Sequence, residues 1–201
     1  MPDFSRDPAA PLRDIEAALF AAGRPLSLEE LVRAASHAAP VAEEEVLAVL
    51  ATLEAAYPVD GPRGFELARV GGGWLFRTNR AAEPALSALF DVGEESRLSP
   101  AALETLAIVA YLQPVSRPEI AEIRGVNSDS AVQTLTERGL VTEVGRKPGP
   151  GGALLYATTE RFQVVFGLDG LEELPPLEGF AVSEQEREEL RRRLGLVAAP
   201  E

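Results

Sequence analysis

Apolar residues recur at the start of the chain with the spacing of an amphipathic helix. The residues that set this spacing are Leu12, Ile15, Leu19 and Phe20. The predicted helix ends at Gly23, a short second helix carries Leu28 and Leu31, and a third spans residues 42–57. Two β-rich runs, residues 65–70 and 74–78, then flank a triple glycine and predict a hairpin.

The same order of elements returns in the second half of the chain. Ser99 before Pro100 predicts an N-cap followed by proline at the first helical position. The apolar stripe of this helix is predicted at Leu103, Leu106, Ala107, Ala110 and Tyr111. The remaining predicted elements are a helix over residues 116–124, a helix from Asn127 or Ser128 to Gly139, strands over 140–144 and 154–158 around a glycine-rich loop, and a closing helix over 159–166.

A capping-box pattern stands at the start of both predicted second helices. The matching residues are Pro25, Ser27 and Glu30 in the first half and Pro114, Ser116 and Glu119 in the second. A serine at the N-cap and a glutamate three residues later satisfy amide groups that the first turn of a helix leaves unpaired. Because each copy follows one apolar helix and precedes another, the repeat indicates two similar domains.

Three helices followed by a two-stranded hairpin is the order of a winged-helix domain, in which the hairpin is the wing. The predicted fold class is therefore α+β and mainly helical, with two tandem winged-helix domains. We place the N-terminal domain at residues 1–90 and the C-terminal domain at residues 91–170, joined through a helix at about residues 84–90 and an acidic linker. Residues 171–201 form an acidic, proline-containing tail, which we expect to be mobile or ordered only by a partner because it is poor in apolar residues.

The composition excludes several classes of protein. Cysteine is absent, so the chain has neither disulfides nor thiolate metal ligands. No apolar run reaches the roughly 18 to 20 residues that a membrane-spanning helix needs, and the first residues lack the apolar stretch of a secretory signal. We therefore expect a soluble cytoplasmic protein.

The net charge of −13 is concentrated outside the second domain. Residues 1–98 carry 9 basic and 16 acidic side chains, whereas residues 99–168 carry 6 and 7. A protein that binds DNA by itself depends on Lys and Arg that neutralise phosphates. Most of this surface is therefore expected to repel DNA.

The predicted third helices also favour protein over DNA as the partner. A DNA-reading third helix presents Arg, Lys, Asn or Gln to base edges. The first domain instead offers Glu43, Glu44, Glu45 and Glu54, and the second is expected to expose Ser128, Asp129, Gln133, Thr134, Glu137 and Arg138. Gln133 and Arg138 can in principle read bases, but the neighbouring carboxylates oppose this. The alternative function is a DNA-binding winged-helix transcriptional regulator.

Few residues suggest catalysis or metal binding. His37 is the only histidine, and a surface position at a helix end is favoured for it over a catalytic or metal site. The acidic runs at residues 43–45 and 188–189 lack the spacing of a calcium loop, and glycines 71–73 lack the following helix of a phosphate-binding loop. We predict no enzyme activity, no catalytic residue, no cofactor and no metal site. Arg146 and Lys147, at the tip of the second wing, can contact a nucleic-acid backbone or lie in a flexible connection.

The sequence resembles the segregation and condensation protein B family, most strongly over residues 98–177. The resemblance is carried by Leu98-Ser-Pro100, Gln113-Pro-Val-Ser116, Glu137-Arg-Gly-Leu140, Leu155-Tyr156, Phe166-Gly-Leu168 and Leu171-Glu-Glu-Leu-Pro175. Over residues 10–90 it rests more on the order of elements and on the segment 18–25.

The resemblance implies a non-catalytic scaffolding subunit of a condensin-like complex. Members of the family form homodimers, mainly through their N-terminal domains, and the dimer binds the kleisin subunit ScpA. The kleisin bridges the heads of the SMC ATPase, which acts in chromosome condensation and partition during cell division. The resemblance thus implies a cytoplasmic, nucleoid-associated protein that contacts DNA only weakly or indirectly and contacts no membrane.

The charge and predicted position of some residues make them candidates for contact with the kleisin or with a second copy of the chain. The kleisin is expected on the near-neutral second domain, with the candidates Gln133, Arg138, Arg146 and Tyr156. Of these, Arg146 and Tyr156 are expected to be exposed beside the hairpin. Trp74 and Phe76, at alternating positions of the first wing, are candidates for the dimer interface or for the core, and packing against its own helices is favoured for Trp74.

Overall fold

The computed structural model describes residue 7 and residues 9–90, 98–148 and 152–176. These residues form eight α-helices and two small antiparallel sheets, a mixed helix-and-strand fold. They fall into two compact units. The described residues within Met1–Gly93 and Phe166–Gly170 form the first unit, and those within Glu94–Val165 and Leu171–Glu201 form the second.

The first unit has the predicted order of three helices and a hairpin, and these predicted elements are confirmed. Its elements are α1 (Ala10–Ala22), α2 (Leu28–Ala35), α3 (Glu43–Ala56), β1 (Phe65–Val70), β2 (Gly73–Thr78) and α4 (Glu83–Leu89). The α1 helix ends at Gly23, which adopts the left-handed conformation that suits glycine at a helix C-terminus. The capping box of α2 is formed as predicted, since the Glu30 N–H donates to Ser27 Oγ and the Ser27 N–H donates to the Glu30 carboxylate.

The core of the first unit lies between the three helices and the hairpin. The buried side chains at its centre are Ile15, Leu19, Leu31, Val46, Leu50, Leu53, Leu67 and Trp74. The predicted stripe of α1 was wrong at Leu12 and Phe20, which are both exposed. Periodicity identified the apolar positions of this helix but did not show which of them the rest of the unit covers.

A short backbone bridge completes the first sheet. The Leu26 N–H donates to the Trp74 carbonyl oxygen at 2.9 Å, and the Trp74 N–H donates to the Leu26 carbonyl oxygen at 2.9 Å. Leu26 directly precedes Ser27, the N-cap of α2, so the start of that helix is attached to β2. The sequence did not predict this bridge, because one isolated pair leaves no periodic pattern.

The second unit repeats this arrangement with a third strand. Its elements are α5 (Pro100–Leu112), β3 (Val115–Ser116), α6 (Arg117–Arg124), α7 (Asp129–Glu137), β4 (Val141–Arg146), β5 (Leu154–Thr158) and α8 (Glu160–Phe166). The strand order is β3-β5-β4, and Val115 pairs with Tyr156. The predicted helices and hairpin are confirmed, whereas β3 was missed. Val115 thus corresponds to Leu26, since each precedes the capping serine of a second helix and pairs with an aromatic residue of the hairpin.

The buried face of α5 differs from the predicted stripe. Leu106 and Ala110 are buried as expected, but Leu103 and Ala107 are exposed. The positions covered instead include Ala102, Thr105 and Val109. Because α5 is apolar over most of its length, its sequence could not distinguish the covered face from the exposed one.

The segment Phe166–Gly170 belongs to the first unit, although it was predicted to end the second domain. The Gly71 N–H donates to the Leu168 carbonyl oxygen at 2.9 Å, and the Gly72 N–H donates to both the carbonyl and the side chain of Asp169 at 3.0 Å. Arg69 adds an ion pair with Asp169 at 2.8 Å. These contacts hold the segment against the turn of the first hairpin.

The predicted mobile tail lies outside the described residues from position 177 onward. Its first residues are ordered: Leu171–Glu173 form a 3₁₀ turn, and the Tyr111 hydroxyl donates to the Pro175 carbonyl oxygen at 2.6 Å. None of the helices in the described part of the chain has the length and apolarity needed to cross a membrane.

Candidate interaction surfaces

Trp74 lies in the core of the first unit. Only 6% of it is exposed, its Nε1–H donates to Glu54 Oε1 at 2.9 Å, and the Arg69 guanidinium stacks 5.2 Å from its ring centre. The favoured alternative, packing against its own unit, is therefore confirmed for Trp74. Phe76 is half-buried and remains available at the surface.

An open groove with aromatic walls lies beside Phe76. The rings of Tyr57, Phe65 and Phe76 contact one another with centroids 5.1 to 5.7 Å apart. The groove has a volume of about 350 Å³ and is also lined by Arg13, Glu16, Ala17 and Phe20. Phe20 is 82% exposed, an unusual position for so large an apolar side chain.

The groove was missed because Phe20 was grouped with Ile15 and Leu19 in the apolar spacing of α1. The sequence does contain a pattern that could have indicated an exposed face. Leu12, Glu16 and Phe20 are spaced four residues apart and share one face of α1. That face differs from the one formed by Ile15 and Leu19, which is buried. The mixture of Leu, Glu and Phe on the outer face gave no clear hydrophobic pattern.

Tyr156 is fully buried, so the expectation that it is exposed was wrong. Its hydroxyl accepts a hydrogen bond from Arg117 Nε at 2.8 Å and donates to Glu143 Oε1 at 3.3 Å. Tyr156 lies in the central strand of the three-stranded sheet, and the Arg117 guanidinium lies over its ring, 5.2 Å from the ring centre. The side chain stabilises the base of the second hairpin.

The other candidate contact residues of the second unit lie on separate elements. Gln133 is exposed on α7 and donates to Glu137 Oε1 at 2.8 Å, and Arg138 is half-buried at the end of the same helix. Arg146 is exposed at the end of β4, where its guanidinium donates to the Gly152 carbonyl oxygen at 3.2 Å. Ser128 was expected to be exposed but is buried, and its hydroxyl contacts Arg124 and the Val126 carbonyl.

The second hairpin is joined to the start of α6 by an ion pair. Lys147 Nζ lies 2.6 Å from Glu119 Oε1, and the Ser116 N–H and hydroxyl both donate to Glu119 Oε2. Burial raises the pKa of the Glu119 carboxyl, but the hydrogen bonds from Lys147 and Ser116 outweigh it and lower this pKa to about 2. In the first unit, the hydrogen bond from Arg24 likewise lowers the pKa of Glu30 to about 2.

The residues considered for chemistry do not assemble into a site in the described part of the chain. His37 is mostly exposed just beyond α2, where its Nδ1 lies 3.5 Å from Asp14 Oδ2. Glu43, Glu44 and Glu45 are exposed in the first turn of α3. No group of three or more His, Cys, Asp or Glu side chains is placed to hold a metal ion among the described residues.

A cavity of about 660 Å³ opens between the end of α7 and α8 in the second unit. Its lining consists of Leu98, Glu137, Arg138, Gly139, Leu140, Arg161 and Val165. Arg138 is thus a predicted contact residue that also lines a cavity, whereas Arg146 and Tyr156 are not part of this lining. Arg161 and Val165 were not selected from the sequence.

The family model for the segregation and condensation complex subunit ScpB matches residues 13–177 of the chain. The chain belongs to this family. Segregation and condensation protein B of Geobacillus kaustophilus is 47% identical over 176 residues, which cover 87% of this chain and 79% of the relative. The protein of the same name from Listeria monocytogenes serovar 1/2a is 41% identical over 177 residues, 88% of this chain and 87% of the relative.

A solved structure of ScpB from Mycobacterium tuberculosis is 35% identical and covers 82% of this chain and 99% of that chain, with a TM-score of 0.37. The family assignment rests on the sequence comparisons and not on this superposition. Membership in the ScpB family makes the chain an accessory subunit of the SMC complex in chromosome segregation.

Proposed function

We propose that this ScpB-family protein is a non-catalytic, dimeric subunit that binds the kleisin ScpA and so joins the SMC ATPase in chromosome condensation and partition. It would act in the cytoplasm at the nucleoid, and it would contact DNA weakly or through the complex. The observation that carries this proposal is the pairing of two similar helix-and-hairpin units with third helices that present carboxylates. We interpret both units as winged-helix domains.

The third helices support protein partners over DNA. Three exposed glutamates in the first turn of α3 would face phosphates if this helix entered a major groove. On α7, the amide group of Gln133, which could read a base edge, is engaged by Glu137. Asn127 just before α7 is likewise bonded to Asp129, at 3.0 Å. The groups that favour DNA reading are therefore paired with groups that oppose it, which disfavours a transcriptional regulator.

The groove beside Phe76 supports dimerisation through the first unit. An isologous contact brings the same patch of two copies together, so that the patch must complement itself. This one carries a protruding ring, Phe20, next to an aromatic groove, and it carries both charges, Arg13 and Glu16. Two copies related by a two-fold axis could insert Phe20 of each into the groove of the other. We therefore propose Phe20, with Phe76, as an interface residue in place of Trp74.

The second unit is the proposed kleisin-binding part of the chain. Gln133, Arg138 and Arg146 remain candidates for direct contact, since each has an exposed or half-exposed side chain. Tyr156 is reassigned to a positioning role, because its buried hydroxyl holds Arg117 at the base of the hairpin. Residues 99–168 are nearly neutral, whereas residues 1–98 are acidic. A partner that carries carboxylates would therefore be repelled less by the second unit than by the first.

Light scattering coupled to size-exclusion chromatography tests the proposal. The wild-type chain should elute as a dimer and should form a larger, stable complex with purified ScpA. Phe20→Asp should elute as a monomer, because a charge in an aromatic interface is left unpaired. Val59→Asp is the matched control, since Val59 is exposed and does not line the groove.

Three outcomes would contradict the proposal or part of it. A wild-type monomer that does not bind ScpA would exclude the whole assignment of partners. A dimeric Phe20→Asp variant would exclude this groove as the dimer interface. Tight, site-dependent retardation of a DNA duplex by the isolated chain at low salt would favour the transcriptional regulator instead.

A further inference from the structure

The cavity between the end of α7 and α8 is lined by both apolar and cationic side chains. Leu98, Leu140 and Val165 supply the apolar part of the lining, and Arg138 and Arg161 supply the cationic part. Arg161 and Val165 are four residues apart in α8, so a guanidinium and an isopropyl group lie side by side on one face of the helix. Val165 is 57% exposed, although it lies in a helix that buries Phe162 against the unit.

Gly139 allows the Arg161 side chain to pass close to the backbone at the end of α7. A Cβ atom at this position would stand 3.4 Å from Arg161 Cδ, and the backbone has a φ of +66°, which glycine tolerates best. Gly139 ends α7, and its N–H donates to the Thr136 carbonyl oxygen at 2.9 Å. The stem of Arg161 therefore passes over a position without a side chain, and Arg161 lines the cavity together with Leu98, Leu140 and Val165.

Arg161, like Arg63 and Arg80, has no carboxylate partner among the described residues. Most other cations of the described residues have a carboxylate within 4.0 Å, as expected of a chain with 32 acidic and 19 basic residues. Glu137, the one carboxylate among the described lining residues, accepts a hydrogen bond from the side chain of Gln133. The cavity thus presents a cation that has no carboxylate partner in the part of the chain that the structure describes.

We propose that this cavity binds a short segment of a partner protein that carries an aliphatic side chain and, about one helical turn away, a carboxylate. The aliphatic group would cover Val165 and Leu140, and the carboxylate would pair with Arg161. On the proposed function this partner is the kleisin, so the inference rests on that function and names the chemistry that the kleisin segment must have.

A second copy of the chain is a poorer occupant. Across a two-fold axis, the patch would set Arg161 and Arg138 against their own copies, with one Glu137 on each side to compensate. A nucleic-acid backbone is also a poorer fit, because its phosphates would leave the apolar lining residues Leu98, Leu140 and Val165 uncovered.

The test measures binding of the full-length chain to purified ScpA by isothermal titration calorimetry. Arg161→Glu and Val165→Asp should each weaken binding by about tenfold or more. The first variant sets a carboxylate against the carboxylate of the segment, and the second sets a carboxylate against its aliphatic group. Arg80→Glu is the matched control: it makes the same charge change at an exposed position of the first unit and should leave affinity within about twofold. Unchanged elution volume and thermal unfolding show that a variant is folded.

The outcomes separate this inference from the proposed function. If the wild-type chain does not bind ScpA, the proposed function fails. If the wild-type chain binds and both folded cavity variants bind equally well, the function stands and the cavity is excluded as the docking site. As a second measurement, NMR shifts of the Gly139 and Val165 amides should change when ScpA is added to the wild-type chain, and their constancy would overturn the inference.

Discussion

Replacing Gly73 with alanine should destabilise the first unit, because the position lies against the bridge between Leu26 and Trp74. A Cβ atom on Gly73 would stand 2.6 Å from the Leu26 carbonyl oxygen and 2.9 Å from its carbonyl carbon. Both contacts are with backbone atoms, which cannot rotate away as the end of a side chain can. The alanine methyl group therefore forces the start of α2 away from β2.

The cost follows from the size of this displacement. An ordinary contact of about 3.4 Å requires a shift of roughly 0.8 Å, which stretches the two 2.9 Å bridge hydrogen bonds beyond the useful range. Each lost bond costs about 1 kcal/mol net, and overpacking adds about 1 to 3 kcal/mol. We expect the free energy of unfolding of the first unit to fall by about 3 to 5 kcal/mol.

Urea unfolding followed by tryptophan fluorescence measures this change directly. Trp74 is the only tryptophan, and it forms the bridge itself, so its emission reports the first unit. Gly64→Ala is the matched control, because a Cβ atom there meets nothing within 4 Å; its effect should stay within about 0.5 kcal/mol. If Gly73→Ala unfolds at the same urea concentration as Gly64→Ala, the proposed contact does not constrain the unit and the reasoning is refuted.

Three further perturbations test other contacts. Tyr156→Phe should lower the stability of the second unit by about 1 to 2 kcal/mol, because the buried hydroxyl accepts from Arg117; an unchanged midpoint in urea unfolding followed by circular dichroism would contradict this. The lowered pKa of Glu119, about 2, means that its contribution is present above the unfolded value of 4.5 and is lost as the pH falls toward 2. Thermal unfolding of Glu119→Gln should therefore depend less on pH in that window than the wild type, and parallel curves would argue against the ion pair with Lys147. Asp169→Ala should speed hydrogen exchange at the Gly72 amide, which donates to Asp169, and an unaltered rate would show that the segment does not hold the hairpin turn.

Elements whose signals are local were predictable from the sequence. Ser27 and Glu30 cap α2 because the capping box needs only residues three apart. Gly23 ends α1 for a similar reason, since the left-handed conformation is a property of one residue. The repeat of this pattern at Ser116 and Glu119 was enough to predict a second unit with the same order of elements.

The candidate surfaces were less predictable, because exposure depends on what packs against a residue. Tyr156 was expected at the surface as part of a hairpin, but the short strand β3 pairs with it and places it in the middle of a sheet. Phe20 was grouped with the apolar spacing of α1, but the other elements of the first unit cover the neighbouring face of α1. In both cases the exposure of the side chain depends on which elements pack against it, and the local sequence does not specify this.

By itself the sequence determined the order of helices and hairpins, the caps that start and end them, and the family to which the chain belongs. These properties depend on the spacing of residues along the chain. The tertiary structure alone decided that Phe20 is exposed, that Tyr156 is buried, and that Arg161 and Val165 border one cavity. The physical reason is that burial and pairing of charges are set by contacts between residues distant in sequence, which local periodicity does not contain.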